Sequence, residues 1–312
     1  MGCQRDKSFL PHSGGDPYEV LLMTEDAETR AWLDSILTAD VVGLPQSESF
    51  CKVSHTHGKA LNQTTRYARC IVKVNVGEAY PKLHIGYEKN VFADPQLLVT
   101  VNAPSKEKLK ANLSRIGKQL TELIDRFEIN AEIAFLKKHS NVQGENAVYK
   151  SFGWNIRIPA DMTAMKRGHD FLWLSNNAPE GMQNVCIYTF PGTVLNAKNY
   201  LDKRDSVMKK NIPGECPGMY MSTERRYPIV QRIVKEHGVT MLKSQGLWQM
   251  EGDAMGGPFV SLAIADTAKN RTIVAEGFVY APEMKKRNRL KQLEAVIYTL
   301  TKEKYKKSSN KK

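Results

Sequence analysis

Residues 246–259 read GLWQMEGDAMGGPF, and the apolar stretches on either side of them decide the fold class. Those stretches, Val239–Glu251 and Phe259–Asp266, predict two consecutive strands joined by a turn. Four glycines and a proline give the connecting segment a backbone path that other residues resist. The segment is either a tight structural turn or the wall of a binding site, and its position between two strands favours the turn.

The rest of the second half contains further strand patterns, at Trp154–Ile158, Phe171–Leu174, Val185–Phe190, Met219–Thr223, Ile229–His237 and Thr272–Tyr280. Apolar residues at helical spacing mark Asn196–Lys210 and Arg287–Thr301, and a short helix is predicted near Ala147–Phe152. His237-Gly238 and Lys269-Asn270 are favourable hairpin turn positions. Consecutive hairpins flanked by helices predict an α+β domain rather than a doubly wound sheet.

The first half shows the same kind of pattern. Its predicted strands are Tyr18–Thr24, Phe50–Ser54, Ala68–Val76, Leu83–Tyr87 and Leu97–Val101. One helix is expected from Asp26 to Leu37, and the longest helix is expected to begin at the N-cap Ser105 and to run past Phe127. We therefore expect two consecutive α+β halves, each with a largely antiparallel sheet packed with helices.

The 312 residues are more than one compact core usually needs, which predicts two domains. Pro, Gly and polar residues make 1–16 a flexible leader, and 17–143 and 144–301 form the two domains, with a hinge near His139–Glu145. The lysine-rich segment 302–312 is expected to be a solvated tail.

The net charge of +12 is unevenly distributed, because six lysines fall in the last twelve residues. No pattern of basic and aromatic residues resembles a nucleic-acid-binding sheet, so nucleic acid is an unlikely partner. No stretch of about eighteen apolar residues occurs, which predicts that the chain has no transmembrane helix.

The five cysteines do not follow the spacing of a disulfide framework. Cys51 and Cys70 stand among apolar residues and are interpreted as buried thiols, although a disulfide between them stays open. Cys51, His55 and His57 are zinc-ligand types at close spacing. Because no fourth ligand follows nearby, the histidines are interpreted as surface residues, and neither a metal nor a cofactor is predicted.

One cluster of charge, Glu224-Arg225-Arg226-Tyr227, stands between two predicted strands. Paired arginines can bind a carboxylate or phosphate bidentately, and a tyrosine can add a hydrogen bond. The competing and favoured interpretation is that these residues form salt bridges across a hairpin, for example to Asp202, Asp205 or Glu251. The four residues are candidate ligand contacts.

The glycine-rich stretch contributes the other candidates, Trp248, Glu251, Asp253 and Phe259. Glu251 and Asp253 could form an acid/base pair of the kind that hydrolases use. The chain contains no nucleophile elbow, phosphate loop, dinucleotide fingerprint or zinc-protease motif. A hydrolase-like enzyme with a carboxylate/arginine site is therefore the alternative, and a non-enzymatic module that binds a protein or a small molecule is favoured.

The N-terminus reads Met1-Gly2-Cys3-Gln4, and a glycine before a cysteine is typical of the cleavage point of a bacterial lipoprotein. In that case the precursor would begin further upstream. A myristoyl signal fits less well, because Asp6 stands where serine or threonine is expected. Cys3 is the candidate lipidation site.

Several longer blocks resemble one family. In the second half they are Arg204–Val207, Thr223–Pro228, Gly246–Trp248, Glu251–Ser261 and Glu276–Pro282; in the first half they are Pro17–Val20, Gly43–Gln46 and Tyr87–Ala93. They resemble the domain-of-unknown-function family numbered forty-eight thirty-seven over Ser13 to Leu300. The family is found in Bacteroidota and often carried as lipoproteins. The resemblance implies a protein of the cell envelope, anchored to a membrane through Cys3, and it implies no particular activity.

Overall fold

The structure is a computed structural model that describes residues 10–56, 60–193, 196–236 and 239–302. It divides into two compact units. The first comprises the residues up to Asp40 together with Ser49–Ala131, and the second comprises Val41–Glu48 and the residues from Glu132 onwards. Cys3, His57 and the turn residues His237 and Gly238 lie outside the described residues.

The strands in chain order are β1 Glu19–Met23, β2 Lys52–Thr56, β3 Cys70–Val76, β4 His84–Lys89, β5 Leu97–Ala103, β6 Ala164–Gly168, β7 Phe171–Ser175, β8 Met182–Pro191, β9 Tyr220–Thr223, β10 Val230–Glu236, β11 Val239–Glu251, β12 Gly256–Asp266 and β13 Arg271–Tyr280. The helices are α1 Ala27–Leu37, α2 Lys106–Lys110, α3 Leu113–Leu136, α4 Val142–Phe152, α5 Ala197–Asn211 and α6 Arg287–Tyr298. Two sheets packed with helices confirm the predicted α+β class. None of the described helices has the length and apolarity needed to span a bilayer.

The sheet of the first unit has the order β2-β1-β3-β5-β4. β1 pairs in parallel with β2 and β3, and β3 pairs in parallel with β5, so that only β4 is antiparallel to its neighbour. The prediction of a largely antiparallel sheet is therefore wrong for this half. The strands are joined by crossovers such as α1, and a crossover returns the chain in its original direction, whereas a hairpin reverses it.

The sheet of the second unit has the order β10-β11-β12-β13-β8-β7-β6 and is antiparallel throughout, as predicted. β9 also pairs with β11, on residues 248–251, whereas β10 pairs with residues 239–245. Both faces of the sheet are covered. Leu290, Leu293 and Ile297 of α6 pack into the core on one face, and α5 packs into the core on the other.

Local signals explain most helix ends. Asp26, Ser105 and Asn141 each accept a hydrogen bond from a backbone N–H in the first turn of the helix that follows. The helix predicted from Ser105 is interrupted at Ala111–Asn112, which divides it into α2 and α3. α4 begins five residues before the predicted Ala147, because Asn141 caps it.

Two strand predictions of the second unit need correction. Residues 154–158 form no strand: Trp154, Ile156 and Ile158 enter the core, but the only described bridge within this segment joins Asn155 to Thr301. β6 was not predicted, because four of its five residues are exposed and show no apolar alternation. The turn prediction at Lys269-Asn270 is confirmed, and Asn270 adopts a left-handed conformation with φ of 45°.

Candidate functional site

The glycine-rich stretch is the tight turn between β11 and β12. Gly252 has a φ of 84°, and the backbone N–H of Met250 donates to the carbonyl of Met255 across the turn at 2.8 Å. The Asp253 carboxylate accepts a hydrogen bond from the N–H of Ala254 at 2.6 Å within the turn. Gly257 allows β12 to approach its neighbour closely, because a Cβ there would lie 2.1 Å from the carbonyl oxygen of Val279.

Two of the predicted ligand contacts, Trp248 and Phe259, are buried in the core beneath α5. The indole Nε1 of Trp248 donates to the carbonyl oxygen of Val279 at 3.1 Å. Phe259 has no exposed surface, and the guanidinium of Arg204 lies 4.0 Å from the centre of its ring. Both side chains therefore contribute to packing in this structure.

An open cleft of about 640 Å³ lies between α5, β9, the end of β11 and the turn that follows β9. Its floor is formed by alternate residues of the β9–β11 pair. Ser222 stands opposite Gln249, and Tyr220 stands opposite Glu251. Because neighbouring residues of a strand point to opposite faces, the strands present these four side chains to the cleft and send Met221 and Trp248 into the core.

Hydrogen bonds fix the floor of the cleft. The hydroxyl of Ser222 donates to Oε1 of Glu251 at 2.6 Å, and the amide of Gln249 donates to the same oxygen at 3.0 Å. Oε2 of Glu251 has no hydrogen-bond donor among the described residues. The carboxylate is thus held by one oxygen and presents the other to the cleft.

One wall of the cleft is the exposed side of α5, which contributes Asp205, Ser206 and Lys209. The ammonium of Lys209 lies 4.1 Å from the centre of the Tyr220 ring, a distance typical of a cation–π contact. In the part of the chain that the structure describes, Lys209 has no carboxylate within salt-bridge distance. Its charge therefore faces the cleft uncompensated.

The opposite wall is the turn after β9, which carries the predicted charge cluster. Arg225 donates through Nη2 to Asp202 at 2.7 Å and to Asp205 at 2.8 Å, so the salt bridges predicted for it are confirmed. Arg226 donates to Glu224 through its side chain and its backbone N–H. The hydrogen bonds from the Arg226 side chain, followed by the one from its backbone, lower the pKa of Glu224 to about 2.

The predicted ligand contacts other than Trp248 and Phe259 do not all line the cleft. Glu224, Arg225, Arg226 and Glu251 line the cleft together. Asp253 and the half-exposed Tyr227 are not among the described residues that line it.

A buried ionic network lies beneath the cleft. Arg204 of α5 and Glu276 of β13 have no exposed surface, and the guanidinium contacts both carboxylate oxygens, at 2.6 Å from Nη2 to Oε1 and 3.0 Å from Nε to Oε2. Nη1 of Arg204 donates to the hydroxyl of Thr223 at 2.9 Å. A bidentate pair of this kind satisfies charges that would be costly to bury alone.

Two tyrosines complete the network. The hydroxyl of Tyr188 donates to Oε2 of Glu276 at 3.1 Å, and the hydroxyl of Tyr200 donates to Ser261 at 2.7 Å. Burial raises the pKa of both tyrosines above the ordinary value, so each hydroxyl keeps its proton and acts as a donor.

Asp205 connects the buried network to the cleft. Its Oδ1 accepts from the backbone N–H of Thr223 at 2.9 Å and from Nη1 of Arg204 at 3.3 Å. Its Oδ2 accepts from Arg225 at 2.8 Å. A continuous chain of contacts therefore runs from Glu276 in the core through Arg204 and Asp205 to Arg225 in the cleft.

The sequence analysis did not assign Arg204, Glu276, Tyr188, Tyr200 or Lys209 to a site. Arg204 and Glu276 nevertheless lie in two of the blocks that carry the family resemblance. Glu276 also interrupts the apolar run of β13, where a charge needs a buried partner. A charge within an apolar strand is therefore the sequence signal from which a buried ion pair could have been predicted.

The cysteine and histidine cluster of the first unit does not assemble as a metal site among the described residues. Cys51 is fully buried, whereas Nε2 of His55 lies 2.8 Å from the carboxylate of Asp34 near the surface. Cys51 and Cys70 form no disulfide in the structure.

Two family models match successive parts of the chain. The family model of a domain of unknown function, DUF8532, matches residues 13–137, and that of a second, DUF4837, matches residues 141–299. The resemblance to family forty-eight thirty-seven therefore holds for the second half, and the first half matches a separate family. A comparison with curated proteins gives no match. Since the DUF4837 model covers half of the sequence, including every residue of the cleft, the chain belongs to the DUF4837 family.

Proposed function

We propose that the protein is a non-enzymatic binding module whose second unit binds a small polar ligand in the cleft. The observation that carries this proposal is the fixed position of Arg225 at the cleft wall. Two carboxylates hold its guanidinium, and one of them, Asp205, is itself held by Arg204 and Thr223. A side chain that is fixed before the ligand arrives loses less conformational entropy on binding.

The alternative is a hydrolase-like enzyme with a carboxylate/arginine site, and the acid/base pair suggested for it, Glu251 and Asp253, would have to face the same substrate. Glu251 faces the cleft, whereas Asp253 accepts a hydrogen bond in the β11–β12 turn and is absent from the described cleft lining. The carboxylates of Asp205 and Glu224 are engaged by arginines. Groups paired in this way support recognition better than proton transfer.

The test is a bulky substitution that fills the cleft. Ser206 is exposed on α5 and lines the cleft, and its side chain makes no hydrogen bond among the described residues, so Ser206→Trp adds volume without breaking a side-chain contact. Lys210→Trp, on the same helix but outside the cleft lining, is the matched control. We expect a thermal-shift screen of sugars, amino acids, organic acids and inorganic phosphate to find a ligand for the wild type and for the control only.

If Ser206→Trp retains every ligand of the wild type, or if the wild type binds nothing in the screen, the cleft is not the binding site. Circular dichroism and the melting temperature of both variants show whether they keep the fold. A loss shared by the two variants would also contradict the proposal, because the control leaves the cleft open.

We also propose that the module is tethered in the cell envelope through a lipid on Cys3. Support comes from the Gly2-Cys3 sequence and from the family resemblance. Mass spectrometry of the protein extracted from membranes should find acyl chains on Cys3, and Cys3→Ser should release the protein from the membrane fraction. A cysteine without acyl chains in the membrane-extracted protein would contradict this part.

A further inference from the structure

The polar groups of the cleft that have no partner within the described part of the protein determine which ligand it can bind. Asp205 and Glu224 are occupied by arginines, and Oε1 of Glu251 accepts two hydrogen bonds from the floor. The remaining groups are mostly donors. A ligand rich in acceptors therefore fits the cleft better than one rich in donors.

Two of these donors carry positive charge. Arg225 donates to Asp202 and to Asp205 through the same nitrogen, Nη2. Its Nε and Nη1 groups have no acceptor in the described part of the chain. Lys209 contacts the Tyr220 ring and has no described carboxylate partner. Because Nε–H and Nη1–H point to different sides of the guanidinium, Arg225 offers an incoming anion single charge-assisted hydrogen bonds, and Lys209 adds a second positive charge.

One carboxylate oxygen without a described donor stands among these groups. Oε2 of Glu251 faces the cleft without a donor from the described residues. An anion that has acceptors only, such as sulfate, would leave this oxygen unpaired. A ligand that also donates, through a hydroxyl or an ammonium group, would satisfy it.

We propose that the ligand is a small organic acid that carries a hydroxyl or ammonium donor: its carboxylate contacts Lys209 and Arg225, and its donor contacts Glu251. This inference rests on the proposed function of the cleft and adds the chemical class of the ligand. The cleft volume of about 640 Å³ accommodates an acid at least as large as a monosaccharide.

Glucuronate and glucose form a matched pair of probes, because both carry the sugar hydroxyls and only glucuronate carries a carboxylate. Isothermal titration of the full chain should give a dissociation constant for glucuronate at least about tenfold lower than that for glucose, the effect of one charge-assisted hydrogen bond. Sulfate, the third probe, carries no hydrogen-bond donor at neutral pH and should bind more weakly than glucuronate.

Substitutions test which residue of the cleft contacts the carboxylate of the ligand and which contacts its donor. Lys209→Met should weaken glucuronate binding about tenfold. Lys210→Met, one residue further along the exposed side of α5, should leave it unchanged. Glu251→Gln should weaken the binding of glucuronate more than that of sulfate, because sulfate has no donor for Oε2. All three substitutions lie on exposed or half-buried positions, and their melting temperatures serve as the folding control.

The possible failures can be told apart. Equal affinity for glucuronate and glucose, with both lost in Ser206→Trp, would overturn the acid class and leave the cleft as a binding site. Sulfate that binds more tightly than glucuronate would overturn the requirement for a donor. If none of the three probes binds at millimolar concentration while the broader screen finds a ligand that Ser206→Trp loses, the class of ligand is wrong and the proposed function stands.

Discussion

Each face of the second unit's sheet buries one ion pair between a strand and a helix, and the two pairs differ in what they connect to. On the α5 face, Arg204 pairs with Glu276. On the α6 face, Lys243 of β11 pairs with Glu294, which also contacts Lys291 at 3.0 Å. Only the first pair continues, through Asp205, to an arginine in the cleft. A buried charge alone therefore does not mark a site, whereas its link to an open surface does.

The cations of the two pairs also respond differently to the loss of their partner. An arginine keeps its charge at every accessible pH, so a buried guanidinium cannot escape its desolvation penalty. A lysine can lose its proton, and burial already lowers the pKa of Lys243 despite the nearby Glu294. Loss of a partner should therefore lower the free energy of unfolding more in the Arg204–Glu276 pair than in the Lys243–Glu294 pair.

The largest effect is expected for Glu276→Ala. The substitution leaves the fully buried Arg204 without its bidentate partner, which should lower the free energy of unfolding by about 3 to 5 kcal/mol. Urea denaturation with circular dichroism detection measures the loss. A decrease below about 1 kcal/mol would show that Arg204 is solvated and would remove the contrast between the two pairs.

Glu294→Ala should have a smaller effect, about 2 to 3 kcal/mol, because Lys243 can become neutral. The variant should regain stability as the pH rises towards 10, since the unfolded state then binds more protons at Lys243 than the folded state does. Urea denaturation at several pH values tests this. A penalty that does not change with pH would mean that Lys243 remains charged.

The acid stability of the wild type should also depend on Glu294. Burial would raise its pKa, but the charges of Lys291 and Lys243 outweigh burial and lower the pKa to about 2. The carboxylate therefore stabilises the fold above its unfolded pKa of about 4.3, and this stabilisation of about 2 kcal/mol is lost as the pH falls towards 2. Glu294→Gln should remove this part of the pH dependence, which acid titration of the unfolding free energy can show.

The smallest effect on stability is expected for Asp205→Asn, about 1 kcal/mol, because the amide oxygen can still accept from Thr223. The larger consequence is at the surface, where Arg225 loses one of its two carboxylates. The Nε–Hε resonance of Arg225 should show increased motion in this variant and not in Glu294→Ala. Equal motion in both would contradict the link from the core to the cleft.

The sequence predicted the elements of the fold better than their arrangement. The long strand Val239–Glu251 and the turn that follows it could be read from apolar residues and glycines, which are local signals. The parallel pairing of β1 with β3 could not, because strand direction depends on how a crossover packs.

The site was predicted only where its charges cluster in the chain. Glu224, Arg225, Arg226 and Glu251 stand near strand ends and were recognised as candidates. Lys209 and Asp205 lie on α5, where charged residues are usual on the solvent side. Arg204 lies on the same helix, and its complete burial follows from the packing of α5 on the sheet rather than from its neighbours in sequence.

The division of the β11 edge between β9 and β10 has a consequence for how this family can diversify. β9 pairs with residues 248–251 and β10 with residues 239–245, so the segment with Arg225 and Arg226 leaves the sheet where the ladder is already interrupted. Insertions or substitutions there would not break strand pairing. The lining of the cleft could thus change over evolution through this loop, while the sheet beneath it keeps its register.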